Sequence, residues 1–507
     1  MSMTVLFIIL YTSILVSAEN CSPRRFGEDS NVCVCNATYC DFVTVQIPQD
    51  GQFRVYESSI SGQRLETKLY DFDKIIKNNI KLYLNFEKKY QTIHGFGGAF
   101  TDSTGININT LSDSTKEQLL QSYFGESGSK YNLGRVPIGG TDFSIRPYSL
   151  DDTPDDVSLR DFSLAKEDTD YKIPYMKRAL KINKELKFLS ASWSAPPWMK
   201  TNHNYTGFLG FLKKEYYQIY ADYLVKFLED YKNQGLPIWA ISTGNEPADV
   251  FALNSVHFND MGWTPATVTK WVVNNLGPTL LNSTSNETII LALDDQRFDL
   301  PWYLHAMHNY DNRIDKYISG IAVHWYMDKY FPIELYDRTH TAFPNKFIIM
   351  TEACTGSTFW ELKKVRLGFW KRGERYIMSI IDDLNHWVTG WVDWNLALDK
   401  KGGPNWAKNY VDSAIIVNSE TDEFYKQPMY YAIAHFSKFI SRGSVRVDLT
   451  HHRSIKSVAF ITPENTTVIV LYNKNDKPKN VTIVDPNKGN INVMVSKKTI
   501  QTIIYRQ

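Results

Sequence analysis

Leu236-Pro237-Ile238-Trp239-Ala240-Ile241-Ser242-Thr243-Gly244-Asn245-Glu246-Pro247 opens as an apolar run and closes on a polar tip. A run of this length reads as a buried strand. Before it, within residues 215–234, Tyr216, Tyr220, Tyr223, Leu224, Phe227 and Leu228 recur at three- and four-residue spacing, the period of an amphipathic helix. The order is helix, buried strand, polar end. Pro247 fixes φ and stops the strand. A glutamate held there between Asn245 and a proline is placed for chemistry rather than packing.

Outward from this unit the same alternation repeats. Candidate strands are residues 93–99, 133–137, 187–192, 238–242, 289–293, 321–324, 347–351 and 390–393, with helical stretches such as 174–185 between them. Eight strands, each followed by room for a helix, predict a (β/α)8 TIM barrel over residues 89–440. In that fold chemistry gathers where the strands end. Here the strands lead to Asp142, Trp193, Asn245 and Glu246, then His324 and Tyr326, Glu352, and Trp394. There is no internal repeat and no low-complexity run.

Both chain ends look different. Phe42-Val43-Thr44-Val45, Phe53-Arg54-Val55-Tyr56 and Lys81-Leu82-Tyr83-Leu84-Asn85-Phe86 are short alternating strands. So are Ser457-Val458-Ala459-Phe460, Thr467-Val468-Ile469-Val470-Leu471, Asn492-Val493-Met494-Val495 and Thr502-Ile503-Ile504-Tyr505, separated by turn residues. Residues 19–88 and 441–507 are therefore expected to pair into an antiparallel β-domain enclosing the barrel.

Residues 1–18 are apolar and end Val16-Ser17-Ala18, a small-x-small pattern that reads as a signal peptide although the basic n-region is absent. No later stretch is long and apolar enough to span a bilayer. Cys21, Cys33, Cys35 and Cys40 crowd the start of the mature chain and Cys354 stands alone. In an oxidising compartment the four form disulfides rather than a zinc site, with three connectivities open. Cys35 and Cys40 close a short loop, which leaves Cys21 for Cys33. Sequons at Asn36, Asn204, Asn282, Asn286, Asn465 and Asn480 are glycosylation candidates on the same route. A formal charge of +1 argues against a nucleic-acid partner. The 13 Trp, 30 Tyr and 27 Phe exceed what a core needs, and carbohydrate sites use aromatic faces as platforms. No ligand-type spacing calls for a metal. Cys354, two residues past Glu352 on an extended chain, is expected on the far side as a buried, inert thiol.

Phe347-Ile348-Ile349-Met350-Thr351-Glu352 repeats the opening pattern, an apolar strand with a glutamate at its tip. On a closed barrel its strand lies three positions from that of Glu246, so the two carboxyls face each other across the mouth. Opposed carboxyls are what acetal hydrolysis requires: one protonates the leaving oxygen while the other attacks or activates water.

Phe96-Gly97-Gly98-Ala99-Phe100-Thr101-Asp102, Thr243-Gly244-Asn245-Glu246-Pro247, His324-Trp325-Tyr326 and Thr351-Glu352-Ala353-Cys354, with the long run 390–406, resemble the glucosylceramidase (acid β-glucosidase) group of glycoside hydrolase family 30, retaining clan A. The likeness runs from Cys33 to the C-terminus. It implies hydrolysis of glucosylceramide to glucose and ceramide by double displacement, with Glu246 as acid/base, Glu352 as nucleophile and no cofactor. It also implies that Asp142, Trp193 and Trp394 hold the glucosyl unit and that Asn245 binds its 2-hydroxyl. Asn409 is implied at the pocket edge, Tyr326 on the nucleophile and His324 orienting the carboxyls. Implied partners are glucosylceramide at a membrane surface, anionic lipid and a saposin-like activator. A homodimer is compatible with the sequence.

The implied location is the lysosome, luminal or peripheral to its membrane, although no lysosomal address is readable and secretion stays open. Phe208, Phe211, Trp360 and Phe369 are candidates to touch lipid. The chain departs from the pattern at Gly244, where the mammalian members have a glutamate, at Thr141 in place of a cysteine, and in the loops 202–212 and 248–261. These departures bear on pH profile and lipid preference. The competing readings are a family 30 glycosidase acting on xylan or a β-1,6-glucan, and a non-catalytic barrel that binds lipid or carbohydrate.

Overall fold

The computed structural model describes residues 20–251, 257–358 and 361–507. The expected signal peptide, and Trp360, lie outside the described residues. Eight parallel strands close into a barrel in sequence order. They are β1 (Gly95–Ala99), β2 (Leu133–Ile138), β3 (Lys187–Ser192), β4 (Ile238–Ser242), β5 (Ile289–Gln296), β6 (Ile318–His324), β7 (Phe347–Glu352) and β8 (Val388–Asn395), with β8 beside β1.

Period-two alternation sorts each strand between lumen and helix layer. Leu133, Leu189, Ala240, Leu291, Ala322, Ile349 and Val392 pack together as one apolar layer of the lumen. Two residues further along their strands stand Arg135, His324, Thr351 and Trp394. The lumen therefore turns from apolar to charged over one step of the pleat. Outside the barrel, the helix Tyr217–Asn233 buries Tyr220, Tyr223, Leu224, Phe227 and Leu228 against the strands, while Tyr216 caps it half-exposed.

The chain ends share a nine-stranded sheet. Gln52–Ser59 pairs antiparallel with the last strand, Thr499–Arg506, and Ile80–Thr92 pairs antiparallel with Val445–Leu449. The sheet encloses its own apolar core, which includes Phe53, Leu82, Ile469, Ile483, Val493 and Ile503. Three expectations change. One pairing, Ile80–Thr92 with Lys479–Asp485, is parallel. Residues 42–45 form no strand: Val43 N–H donates to Ser127 O and Gln46 N–H to the Tyr56 hydroxyl, so the backbone finds isolated partners ahead of Pro48 rather than a ladder.

The third change concerns the cysteine segment, which joins a separate five-stranded sheet. Its strand Val32–Asn36 pairs with Glu423–Lys426. Cys21 is bonded to Cys33 and Cys35 to Cys40. Val32 and Val34 pack in the same cluster as Trp193 and Trp394, so the cystine segment buttresses the mouth of the barrel. Of the sequon asparagines, Asn204, Asn282, Asn286, Asn465 and Asn480 are exposed and Asn36 is half-buried. No helix among the described residues is long and apolar enough to cross a membrane.

Candidate active site

Glu246 lies four residues beyond the end of β4 with φ of +42°, in the left-handed region that few non-glycine residues occupy. Gly244 before it has φ of +141°, a conformation costly to any side chain. A Cβ there would meet Trp263 Nε1 at 3.3 Å. The turn is thus built around a glycine, and a glutamate at this position would be strained. The Glu246 N–H donates to Asp294 O at 2.9 Å, which fixes where the carboxyl emerges. Strain of this kind persists only where surrounding structure over-determines it.

Asp294 comes from β5, which runs three residues past its expected end. Leu293 and Asp294 both have positive φ, and the register against β6 shifts between Leu293 and Asp295. This bulge sends Asp294 into the lumen and Asp295 toward the β4 turn. Asp294 is the hub of the site. Its Oδ1 accepts from Thr351 Oγ1 at 2.6 Å and from His324 Nε2 at 3.1 Å, and its Oδ2 from Arg135 Nη2 at 3.1 Å. Burial works to raise its pKa, but Arg135 and His324 overcome that and hold it well below the usual carboxylate range.

Arg135 is fully buried, which is tolerable for a charge only when it is paired. It also donates to Glu352 Oε2 and, at 2.8 Å, to Asn245 Oδ1. Its guanidinium carbon sits 4.8 Å from the Trp193 ring centroid and 5.3 Å from that of Trp394. The two indoles stack with centroids 5.2 Å apart. One cation therefore positions the nucleophile candidate, its neighbouring amide and the aromatic floor.

Glu352 accepts from the Tyr326 hydroxyl through Oε1 at 2.6 Å. Burial pushes its pKa up, Arg135 and His324 pull it down, and the Glu246 carboxylate adds to the upward push. Glu246 Oε1 accepts from Gln296 Nε2 at 2.8 Å and from His324 Nδ1 at 2.9 Å. Burial opposes charge on His324, yet Glu352, Asp294 and Glu246 together raise its pKa to about 10, so both ring nitrogens donate. An oxygen of Glu246, a nitrogen of His324 and an oxygen of Glu352 lie within 4.8 Å of one another. An imidazolium has no lone pair to offer a metal. Cys35, Cys40 and Asp41 also cluster, but those sulfurs are in a disulfide.

A cavity of about 160 Å³ opens here, lined by Asp142, Trp193, Glu246, Tyr326, Glu352, Trp394 and Asn409, with Phe143, Phe258, Cys354, Ser357 and Val411. Asp142 Oδ2 accepts from Asn409 Nδ2 at 3.0 Å and Asn405 Nδ2 at 3.2 Å. Burial and the Glu352 charge raise Asp142 to about 7. Cys354 is buried but lines the cavity, with Sγ 3.4 Å from the Tyr326 hydroxyl, contrary to the expectation that it faces away. Side chains two residues apart on an extended chain share a face, so Cys354 follows Glu352 toward the cavity. Phe208 is exposed on its loop, Phe211 is half-buried, and Phe369 lies under the Arg366 guanidinium at 3.4 Å.

The structure thus brings Asp142, Trp193, Asn245, Glu246, His324, Tyr326, Glu352, Trp394 and Asn409 around one mouth. It adds Arg135, Asp294, Gln296 and Thr351, which the sequence reading passed over. Two signals were there: a charge inside the apolar run Leu133-Gly134-Arg135-Val136-Pro137-Ile138, and three polar residues continuing Ile289-Ile290-Leu291-Ala292-Leu293.

Residues 93–440 match the glycosyl hydrolase family 30 TIM-barrel domain, and residues 443–503 match the beta sandwich domain of the same family. The chain belongs to glycosyl hydrolase family 30. This family 30 chain is 43% identical to the lysosomal acid glucosylceramidase of Mus musculus, over 99% of its own length and 98% of the relative's. It is 40% identical to putative glucosylceramidase 3 of Caenorhabditis elegans, over 96% of its length and 95% of that protein. The solved structure of SrfJ from Salmonella typhimurium superposes with a TM-score of 0.83 at 25% identity, covering 90% of this chain and all of that one. The family 30 chain is a glycoside hydrolase.

Proposed function

We propose that the protein is a retaining β-glucosidase that cleaves glucosylceramide into glucose and ceramide in the lysosomal lumen. The observation that carries the mechanism is the separation of the two strand-end carboxyls, with oxygens of Glu246 and Glu352 within 4.8 Å. Retaining enzymes hold their carboxyls about 5–5.5 Å apart, whereas inverting ones leave roughly 6.5–9.5 Å for a water. The substrate reading rests on the likeness to the glucosylceramidases, which extends over both domains.

In the first half-reaction Glu352 attacks the anomeric carbon, the glycosidic C–O bond breaks, and Glu246 gives its proton to the departing ceramide oxygen. Glu246 Oε1 is already engaged by Gln296 and His324, which leaves the other oxygen to carry that proton. Arg135 and Tyr326 hold Glu352 in line for attack. In the second half Glu246 takes a proton from water, and the resulting hydroxide attacks the anomeric carbon and releases Glu352. Because Asn245 Oδ1 is occupied by Arg135, its amide NH2 is free to donate to the sugar 2-hydroxyl. Asp142, with Asn405 and Asn409 behind it, and the stacked indoles hold the rest of the ring.

The headgroup is reached at a membrane surface, with anionic lipid and a saposin-like activator as partners. The decisive experiment is release of glucose from glucosylceramide at acid pH by wild type, Glu246→Gln and Glu352→Gln. Loss by orders of magnitude in both variants is expected. Cleavage of xylan or a β-1,6-glucan in place of the lipid would overturn the substrate assignment.

A further inference from the structure

The stretch 96–102 carries part of the family likeness, yet none of its residues lines the cavity. It ends on Asp102, buried at the start of the helix Asp102–Asn109 that follows β1. Both carboxylate oxygens face donors. Oδ2 accepts from Ser144 Oγ at 2.6 Å and from the Tyr148 hydroxyl at 3.0 Å, while Oδ1 lies 3.5 Å from Lys172 Nζ. Lys172 also donates to the Tyr148 hydroxyl at 3.2 Å and pairs with Asp168 at 2.8 Å. The Tyr231 hydroxyl donates to that same Asp168 oxygen at 2.7 Å. Every member of this network is buried, and each charge has a partner of opposite sign.

Ser144 closes the turn that carries Asp142. A hydroxyl has one proton and two lone pairs. Because the Ser144 proton goes to Asp102, a lone pair is left for the Thr141 N–H, which donates to Ser144 Oγ at 3.1 Å. Within the turn Thr141 Oγ1 accepts from the Phe143 N–H at 3.0 Å. The helix that begins with Asp102 also holds what surrounds this turn. The Ser103 N–H donates to Phe143 O at 3.0 Å, and Asn107 Nδ2 donates to Gly403 O at 2.8 Å, next to the loop that brings Asn405 and Asn409 onto Asp142. Trp406 of that loop donates from Nε1 to Thr141 O at 2.8 Å and from its backbone N–H to Ser144 O at 3.0 Å.

We propose that Asp102 is a positioning residue of the glucosidase reaction, acting through Ser144 to set the turn that aims Asp142 at the glucosyl unit. This rests on Asp142 holding that unit. An asparagine cannot take its place. Its NH2 group would meet Lys172 in one orientation and the hydroxyl protons of Ser144 and Tyr148 in the other, a donor against donors either way.

The test is a double-mutant cycle on the purified protein, read as kcat/KM on a dinitrophenyl β-glucoside, a substrate reactive enough to register slow variants. The four proteins are wild type, Ser144→Ala, Asp142→Asn and the variant with both changes. Ser144→Ala is expected to lower kcat/KM by at least roughly 10-fold where Asp142 is present, and by less than about twofold once Asp142 is asparagine. Equal losses in the two backgrounds, which a network that only supports the fold would give, overturn the proposal, and so does no loss in either. Asp102→Asn is expected to show the same dependence on Asp142, and additive losses there overturn it likewise. Should Asp102→Asn not fold, the Ser144→Ala cycle decides. A wild type that cleaves no β-glucoside overturns the glucosidase reading itself, whereas an active wild type with additive variants overturns the positioning alone.

Discussion

Arg135 Nη2 donates to Asn245 Oδ1 at 2.8 Å, joining the middle of β2 to the tip of β4. The same guanidinium serves Asp294 and Glu352. A lysine keeps the charge but offers one compact ammonium in place of a planar fork. Arg135→Lys is therefore expected to lower kcat on any β-glucoside by at least about 100-fold, since small misplacement of reacting groups costs that much. The variant's melting temperature should fall as well, because Asp294 stays buried with a weaker partner. Steady-state kinetics and thermal melts on purified protein check both.

Tyr326→Phe removes the hydroxyl that donates to Glu352 at 2.6 Å. A hydrogen bond to a charged group is worth about 1.5–3 kcal/mol, so kcat/KM should drop by roughly 10- to 100-fold. Because this contact touches the nucleophile and not the acid, the drop should be the same for good and poor leaving groups.

Stability should favour acid. Burial raises Asp393 to about 8, against hydrogen bonds from Tyr376 and the Trp394 N–H, and Asp142 stands at about 7. Both values lie above the unfolded value, so this contribution is complete below the unfolded pKa and is lost as pH rises through the folded one. His435, lowered to about 3 by burial and Arg64, and His94, lowered to about 4, act oppositely and remove stability as pH falls below the ordinary histidine range. Melting temperature should thus peak at mildly acid pH and fall toward about pH 8. Asp393→Asn should shrink the difference between the two ends, and an unchanged slope would contradict it.

Cys354 lines the cavity, yet burial pushes its thiol well above the ordinary range. Since the thiolate is the reactive form, the native protein should resist iodoacetamide at neutral pH and be labelled at this residue once unfolded. Intact-mass spectrometry before and after denaturation reads the outcome.

The barrel was legible because each strand is an apolar run with a chemical residue at its tip, as at Ile238–Ser242 and Phe347–Glu352. What escaped depended on backbone detail. Arg135 sits inside its strand rather than at its end, and only the change of the lumen from apolar to charged explains it. Asp294 points inward because a bulge with two positive-φ residues re-aims it, which no alternation pattern encodes. Residues 42–45 carry the period of a strand, but neither neighbouring chain offers them a ladder.

The sheet that joins the chain ends has a bearing on how the protein is made. Gln52–Ser59 finds its partner in Thr499–Arg506, a strand made long after it. At about 5–20 residues per second, synthesis of the intervening chain takes on the order of tens of seconds. Throughout that interval the early strand has an unpaired edge and the barrel can close beside it, so the nascent chain exposes a strand template until Thr499–Arg506 is made.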